Sequence, residues 1–202
     1  MLLRIHPENP QPRLIKQVAE CLKDGGIIVY PTDTIYGLGC DIKQQKAVER
    51  ICKIKNIDPQ KAQLSFICLD LSHLSDYTKS IDTPLYRMLN NYLPGPYTFL
   101  LPASKQVPKI LQNKKKTIGL RIPDNIICHQ ILTEMGNPIL STSLPGEMVE
   151  DYTDPEIIYE RFASLVDFVI DGGIGGMVPS TIIDCTTDDW AITRQGLGEW
   201  AA

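Results

Sequence analysis

The 202-residue chain reads as an α/β protein, a single domain on a twisted, mixed, open sheet. Three observations predict this class. Short apolar runs of strand type alternate with helical patterns, several neighbouring runs are joined by loops alone, and no repeat or low-complexity linker divides the chain. The composition, 43% hydrophobic and 22% charged, is that of a globular chain and excludes disordered, collagen-like and disulfide-scaffold classes.

Taken in order, Arg13 to Asp24 places Leu14, Ile15, Val18 and Leu22 on one helical face, with Pro12 near the first turn and Gly25-Gly26 as a stop. Ile27-Ile-Val-Tyr30 is a continuous apolar run that fits a buried strand and leads into Pro31-Thr-Asp-Thr-Ile-Tyr-Gly-Leu-Gly39, read as a loop. A second helix, from Gln44 to Lys55, buries Ala47, Val48, Ile51 and Ile54. Strands are expected at Leu64–Leu69, Tyr97–Leu101, Thr117–Ile122, Ile139–Ser143, Val166–Ile170, Thr181–Cys185 and Ala191–Arg194. Helices are expected at Thr83–Leu93, Ile126–Met135 and Pro155–Ala163.

The formal charge of −4 argues against a uniformly basic nucleic-acid binder. Yet the charge is polarised. Residues 1–121 carry 18 Lys and Arg against 10 Asp and Glu, whereas residues 122–202 carry 2 against 14. None of the six cysteines forms a C-x-x-C pair and most lie among apolar residues, which points to buried free thiols and a reducing compartment. With no secretory h-region at the start and no long apolar stretch, a cytoplasmic protein is expected.

The loop after the first long strand offers the hydroxyls of Thr32 and Thr34 at a place where open α/β sheets hold ligands, although a tight connection alone also needs glycine. Lys43, Lys46, Arg50 and Lys53 recur at helical spacing, either as a solvated face or as a phosphate-contacting stripe. Lys114-Lys-Lys116 reads as a group that keeps a sheet edge soluble. Arg121 stands inside an apolar strand, where a guanidinium needs a carboxylate partner or a bound anion. Two further strand ends, Ser141-Thr-Ser143 and Pro179-Ser-Thr181, carry hydroxyls. Gly172–Gly176 lacks dinucleotide spacing, and no Walker A, H-E-x-x-H or G-x-S-x-G motif occurs. His6, His73 and His129 have no metal-site or catalytic context, so no metal site is expected. Together the hydroxyls and cations suggest a pocket for a polar, phosphate-bearing small molecule.

From about residue 10 to 198 the sequence resembles the YrdC/YciO family, through Tyr30–Gly39, Ile51–Lys55, Pro94–Thr98, Leu120–Asp124, Ser141–Ser143, Pro179–Asp184 and Arg194–Gly196. His6-Pro-Glu-Asn-Pro-Gln11 and Lys115-Lys-Thr-Ile-Gly119 resemble the YciO branch in particular. The resemblance implies one YrdC-like domain over residues 1–202, with a large, positively charged cavity. It implies a threonylcarbamoyl-AMP synthase that joins L-threonine, bicarbonate and ATP, with Mg2+ accompanying ATP, on the way to threonylcarbamoyladenosine in tRNA. It also implies structured or double-stranded RNA as a partner, for which the stripe Lys43, Lys46, Arg50 and Lys53 is the candidate contact face. Carried over by position, Thr34, Arg121 and Ser180 hold threonine. Lys55, Lys61, Thr117, Ser143 and Arg194 hold the nucleotide, and Lys55 is the catalytic cation. The synthases' Lys-x-Arg and Ser-x-Asn signature reads here Lys55-Asn-Ile57 and Ser143-Leu-Pro145, so half of it is absent. The alternative expectation is therefore an RNA- or nucleotide-binding protein without efficient synthase chemistry.

Overall fold

The computed structural model describes residues 1–58, 64–146 and 153–201. Its strands are β1 (Leu2–Arg4), β2 (Ile27–Tyr30), β3 (Gly37–Asp41), β4 (Ser65–Ile67), β5 (Tyr97–Pro102), β6 (Thr117–Arg121), β7 (Ile139–Ser143), β8 (Phe168–Asp171), β9 (Thr181–Asp184) and β10 (Ala191–Arg194). The helices are α1 (Pro12–Lys23), α2 (Gln45–Lys55), α3 (Leu71–Ser75), α4 (Thr83–Tyr92), α5 (Ile126–Met135) and α6 (Pro155–Phe162). All ten strands join one mixed sheet in the order β1-β8-β2-β3-β7-β4-β6-β5-β9-β10. Parallel pairs such as β4 with β6 are combined with antiparallel pairs such as β3 with β7.

Strand periodicity sorts the core into two layers, because successive side chains point to opposite faces. Ile28 and Tyr30 enter one cluster with Ile15, Val18 and Leu22 of α1 and Ile127, Ile131 and Leu132 of α5. Ile27 and Val29 enter the other with Val48 and Ile51 of α2, Leu89 of α4 and Ile158 of α6. Helix ends follow local chemistry. Asn125 Oδ1 accepts from Cys128 N at 3.0 Å to cap α5 at its start, and Gly136, at φ +69°, ends that helix in the left-handed region.

The main difference from the sequence reading lies after β2. Only residues 31–36 are loop; Gly37–Asp41 is a strand that pairs with β2 and β7. Its glycines resemble turn signals, but here they admit a neighbour. A Cβ on Gly39 would come within 2.8 Å of both Tyr30 Cε1 and Ile139 Cγ2. Three-residue β1, five-residue α3 and a 3-10 turn at Lys109–Leu111 also escape the sequence patterns, being too short to show a period. The strand expected at Leu64–Leu69 contracts to Ser65–Ile67, and that expected at Val166–Ile170 shifts to Phe168–Asp171.

Two readings of the lysines need correction. Lys43 precedes α2, its N–H bound to Asp41 Oδ1 at 2.9 Å in the turn, so it does not share the helical face of Lys46. Lys114–Lys116 lead into β6, which lies between β4 and β5, so they protect no sheet edge.

Gly39→Ala is expected to destabilise the protein by about 1–3 kcal/mol, because the added methyl forces Tyr30 or Ile139 from its place. Urea unfolding measures this, and a loss below about 0.5 kcal/mol contradicts the close-approach account.

Candidate active site

The sheet order brings β6, β7, β9 and β10 and the loop leaving β2 to a common cavity of about 130 Å³. Arg121, Ser141, Ser143, Ser180, Arg194 and Thr32 contribute to its wall.

Arg121 closes β6, and its side chain is only 10% exposed. Burying a guanidinium in an apolar strand demands a partner, and Asp33, itself 9% exposed, supplies it as an ion pair to Nη2. The same Nη2 donates to Thr34 Oγ1 at 2.6 Å and to Thr32 Oγ1 at 3.3 Å. Thr32 Oγ1 donates to Ile35 O at 2.7 Å and accepts from Thr34 N at 3.0 Å, which fixes the turn. The other Asp33 oxygen accepts from Asp124 N at 3.2 Å and ties the loop to the segment after β6. Among the described residues, Arg121 Nε is buried with no acceptor.

A second guanidinium stands near the first. Arg194 holds Ser180 O through Nη2 at 2.8 Å and Nε at 3.2 Å, and Nη2 also reaches Ser180 Oγ at 3.2 Å. Ser180 Oγ meets Thr98 Oγ1 at 2.8 Å. Partial burial, and after it repulsion by Arg121, lowers the pKa of Arg194 from its ordinary value. Two guanidiniums, of which Arg121 alone pairs with Asp33, leave a positive excess that suits an anionic ligand.

At the rim, Lys55 ends α2 and donates from Nζ to Ser143 Oγ at 3.3 Å. Half-burial lowers its pKa from 10.5. Ser141 accepts from the fully buried Tyr30 hydroxyl at 2.6 Å, so its own proton remains free to donate.

The sequence-derived residues are distributed unevenly. Arg121, Ser143, Ser180 and Arg194 line the cavity, and Lys55 adjoins it through Ser143. Thr34 is buried behind the wall, where it supports Arg121. Thr117 opens β6 away from the lining residues, with its N–H bound to Asn113 Oδ1 at 3.1 Å. Lys61 lies outside the described residues. On α2, Lys46 and Lys53 are exposed, while Arg50 reaches Asp167 Oδ2 at 3.5 Å and Leu165 O at 3.4 Å. The stripe is thus not a continuous row of free cations.

Sequence reasoning missed Asp33, Thr98 and Tyr30. For Asp33 a signal existed, since an arginine in an apolar strand calls for a carboxylate and Asp33 stands between the two threonines. At the incomplete signature, Asn56 adopts φ +52° at the α2 C-terminus and Ile57 packs against the core. Among the described residues no group of three or more His, Cys, Asp or Glu could hold a metal, and no helix is long and apolar enough to cross a membrane. All six cysteines are free thiols.

The fold and cavity define a mixed α/β protein with an anion-seeking pocket at converging strand ends. A family model for Sua5, YciO and YrdC proteins, described as Telomere recombination, matches residues 20–196. The chain belongs to this family. It is 46% identical over 198 residues to the Escherichia coli K12 protein named Uncharacterized protein YciO, covering 96% of this chain and 95% of that one. It is 31% identical over 186 residues to a threonylcarbamoyl-AMP synthase of Vibrio vulnificus, covering 90% and 98%. The E. coli YciO crystal structure superposes with a TM-score of 0.91 at 44% identity, over 98% of this chain and 97% of that chain. The structure of P. abyssi Sua5 complexed with L-threonine gives 0.86 at 26% identity, over 97% of this chain and 57% of that chain.

Burial of Lys55 has a titration consequence. Its midpoint, followed by NMR of the side chain, is expected below 10.5. Because the unfolded chain then binds more protons, this residue's contribution to stability rises with pH in the window just below 10.5, and Lys55→Met removes that slope. A midpoint at or above 10.5 contradicts the burial.

Proposed function

We propose that the chain is a nucleotidyltransferase of the threonylcarbamoyl-AMP synthase type. Its substrates are L-threonine, bicarbonate and ATP; its products are threonylcarbamoyl-AMP, pyrophosphate and water, and the adenylate serves threonylcarbamoyladenosine formation in tRNA. The observation that carries this reading is Arg121, buried at the cavity wall with an unmet Nε donor and a second guanidinium nearby. Support comes also from the relative named threonylcarbamoyl-AMP synthase and from the Sua5 structure complexed with L-threonine.

In this reading the threonine carboxylate lies at Arg121, with Ser180 beside it and Thr34 supporting the arginine. The threonine amine adds to the bicarbonate carbon and water leaves. A carbamate oxygen then attacks the α-phosphorus, and the bond from that phosphorus to the oxygen bridging to the β-phosphorus breaks. Charge accumulates on the departing pyrophosphate, where fixed cations act most strongly. Lys55 is the catalytic cation for that charge, with Lys61, Ser143 and Arg194 assigned to the nucleotide; Thr117, which is not among the cavity-lining residues, has no role in this reading. Mg2+ enters as MgATP, with the phosphates as its ligands, and screens the polyphosphate. The lining groups described above are hydroxyls and cations, which complement such a substrate.

A second reading is favoured by Ile57, which occupies the signature's arginine position and packs against the core. Under it the chain binds nucleotide or structured RNA without efficient synthase chemistry. A missing charged hydrogen bond is worth about 1.5–3 kcal/mol, or roughly 10- to 150-fold in rate.

Incubation with L-threonine, bicarbonate and MgATP is expected to release pyrophosphate and give threonylcarbamoyl-AMP by mass spectrometry. Arg121→Lys is expected to lower the rate roughly 10- to 100-fold, because one ammonium cannot replace the guanidinium's donors. Absence of the product at high enzyme concentration, while nucleotide or RNA binding persists and falls with salt, rejects the synthase reading in favour of the second.

A further inference from the structure

We propose that Asp33 is a positioning residue for amino-acid binding, because it clamps the Arg121 guanidinium in the orientation that faces the cavity. The proposal rests on the reading of Arg121 as the carboxylate-binding cation. Asp33 touches no cavity ligand in that reading; it acts through its neighbour.

The geometry divides the guanidinium into two parts. Among the described residues, the acceptors of Arg121 (Asp33 Oδ1, Thr34 Oγ1 and Thr32 Oγ1) are all reached through Nη2. Nε is buried without an acceptor among the described residues, and the residue lines the cavity. The threonine oxygens carry no formal charge, so among the described residues Asp33 is the carboxylate that offsets the buried cation on this side. Both carboxylate oxygens are engaged, one by Arg121 and the other by the backbone of Asp124, so the carboxylate is itself held at two points. A guanidinium fixed in this way needs no rearrangement when a carboxylate arrives, and preorganisation of that kind increases affinity.

The arrangement extends to the hydroxyls. Thr34 Oγ1 accepts from Nη2, and Thr32 Oγ1 already donates to Ile35 O. If the ion pair shifts, this set of bonds shifts with it. Removal of the charge at Asp33 therefore affects the amino-acid end of the cavity and not the Lys55–Ser143 end, which shares none of these contacts.

The test is calorimetric titration of the full-length protein with L-threonine and, separately, with MgATP. Thermal unfolding accompanies it as a check on the fold. Asp33→Asn keeps the shape and removes the charge; it is expected to weaken threonine at least about tenfold while MgATP affinity stays within about twofold. Asp33→Glu keeps the charge and moves it by one methylene, so its threonine affinity is expected between wild type and Asp33→Asn, or below wild type where Asp33→Asn does not fold. Equal weakening of both ligands by a folded variant overturns the proposal, as does wild-type threonine affinity in either variant. Wild-type protein that binds no threonine overturns the underlying reading of Arg121 and the proposal with it. Threonine binding that is normal in wild type and unchanged in Asp33→Asn overturns the proposal alone.

Discussion

A single buried cation organises this end of the molecule. Arg121 follows the apolar run Ile118-Gly-Leu120 of its strand, and its charge is stable there because the loop after β2 folds back to meet it. Breaking a buried pair by removing one partner typically costs about 3–5 kcal/mol, since the remaining charge is left uncompensated. The turn at Thr32–Ile35, the placement of Asp33 and the link to Asp124 are all consequences of satisfying one guanidinium. The cavity wall is thus set by electrostatics as much as by packing.

The sheet supplies the rigid frame. Antiparallel insertion of β3 between β2 and β7 turns the chain so that the loop at 31–36 faces the ends of β6 and β7. Parallel pairing of β5 with β9 carries Ser180 against Thr98, and the β9–β10 hairpin then returns Arg194 onto Ser180. Residues more than eighty positions apart, such as Thr98 and Ser180 or Asp33 and Arg121, meet because the sheet brings their strands and loop together. Groups carried on paired strands are held more firmly than groups on free loops, which suits a site that works by fixed charge.

The long elements were legible because their periods are long. Helices α1, α2 and α5 and strands β2, β6 and β7 appear in the sequence within a residue or two of their observed bounds. Gly37–Asp41 was not legible as a strand, since two glycines outweigh one leucine unless the neighbouring Tyr30 ring is known. At the site, Arg121 was legible as a residue needing an anion and Asp33 between two threonines was a candidate, but pairing across 88 positions has no local signature that joins the two. The α2 stripe failed for the complementary reason. Helical spacing is readable, but the Asp167 that engages Arg50 lies in a distant turn. Family resemblance pointed to Ser143, Ser180 and Arg194 of the wall by position, which local pattern alone does not provide.

The central claim is that the Arg121–Asp33 pair forms a ready-made anion site before any ligand arrives. A crystal structure with L-threonine tests it most directly. The account predicts the ligand carboxylate within hydrogen-bond distance of the Arg121 guanidinium, with the contacts to Asp33 and Thr34 intact. Threonine bound elsewhere, or Arg121 swung away from Asp33 to reach it, would contradict the account.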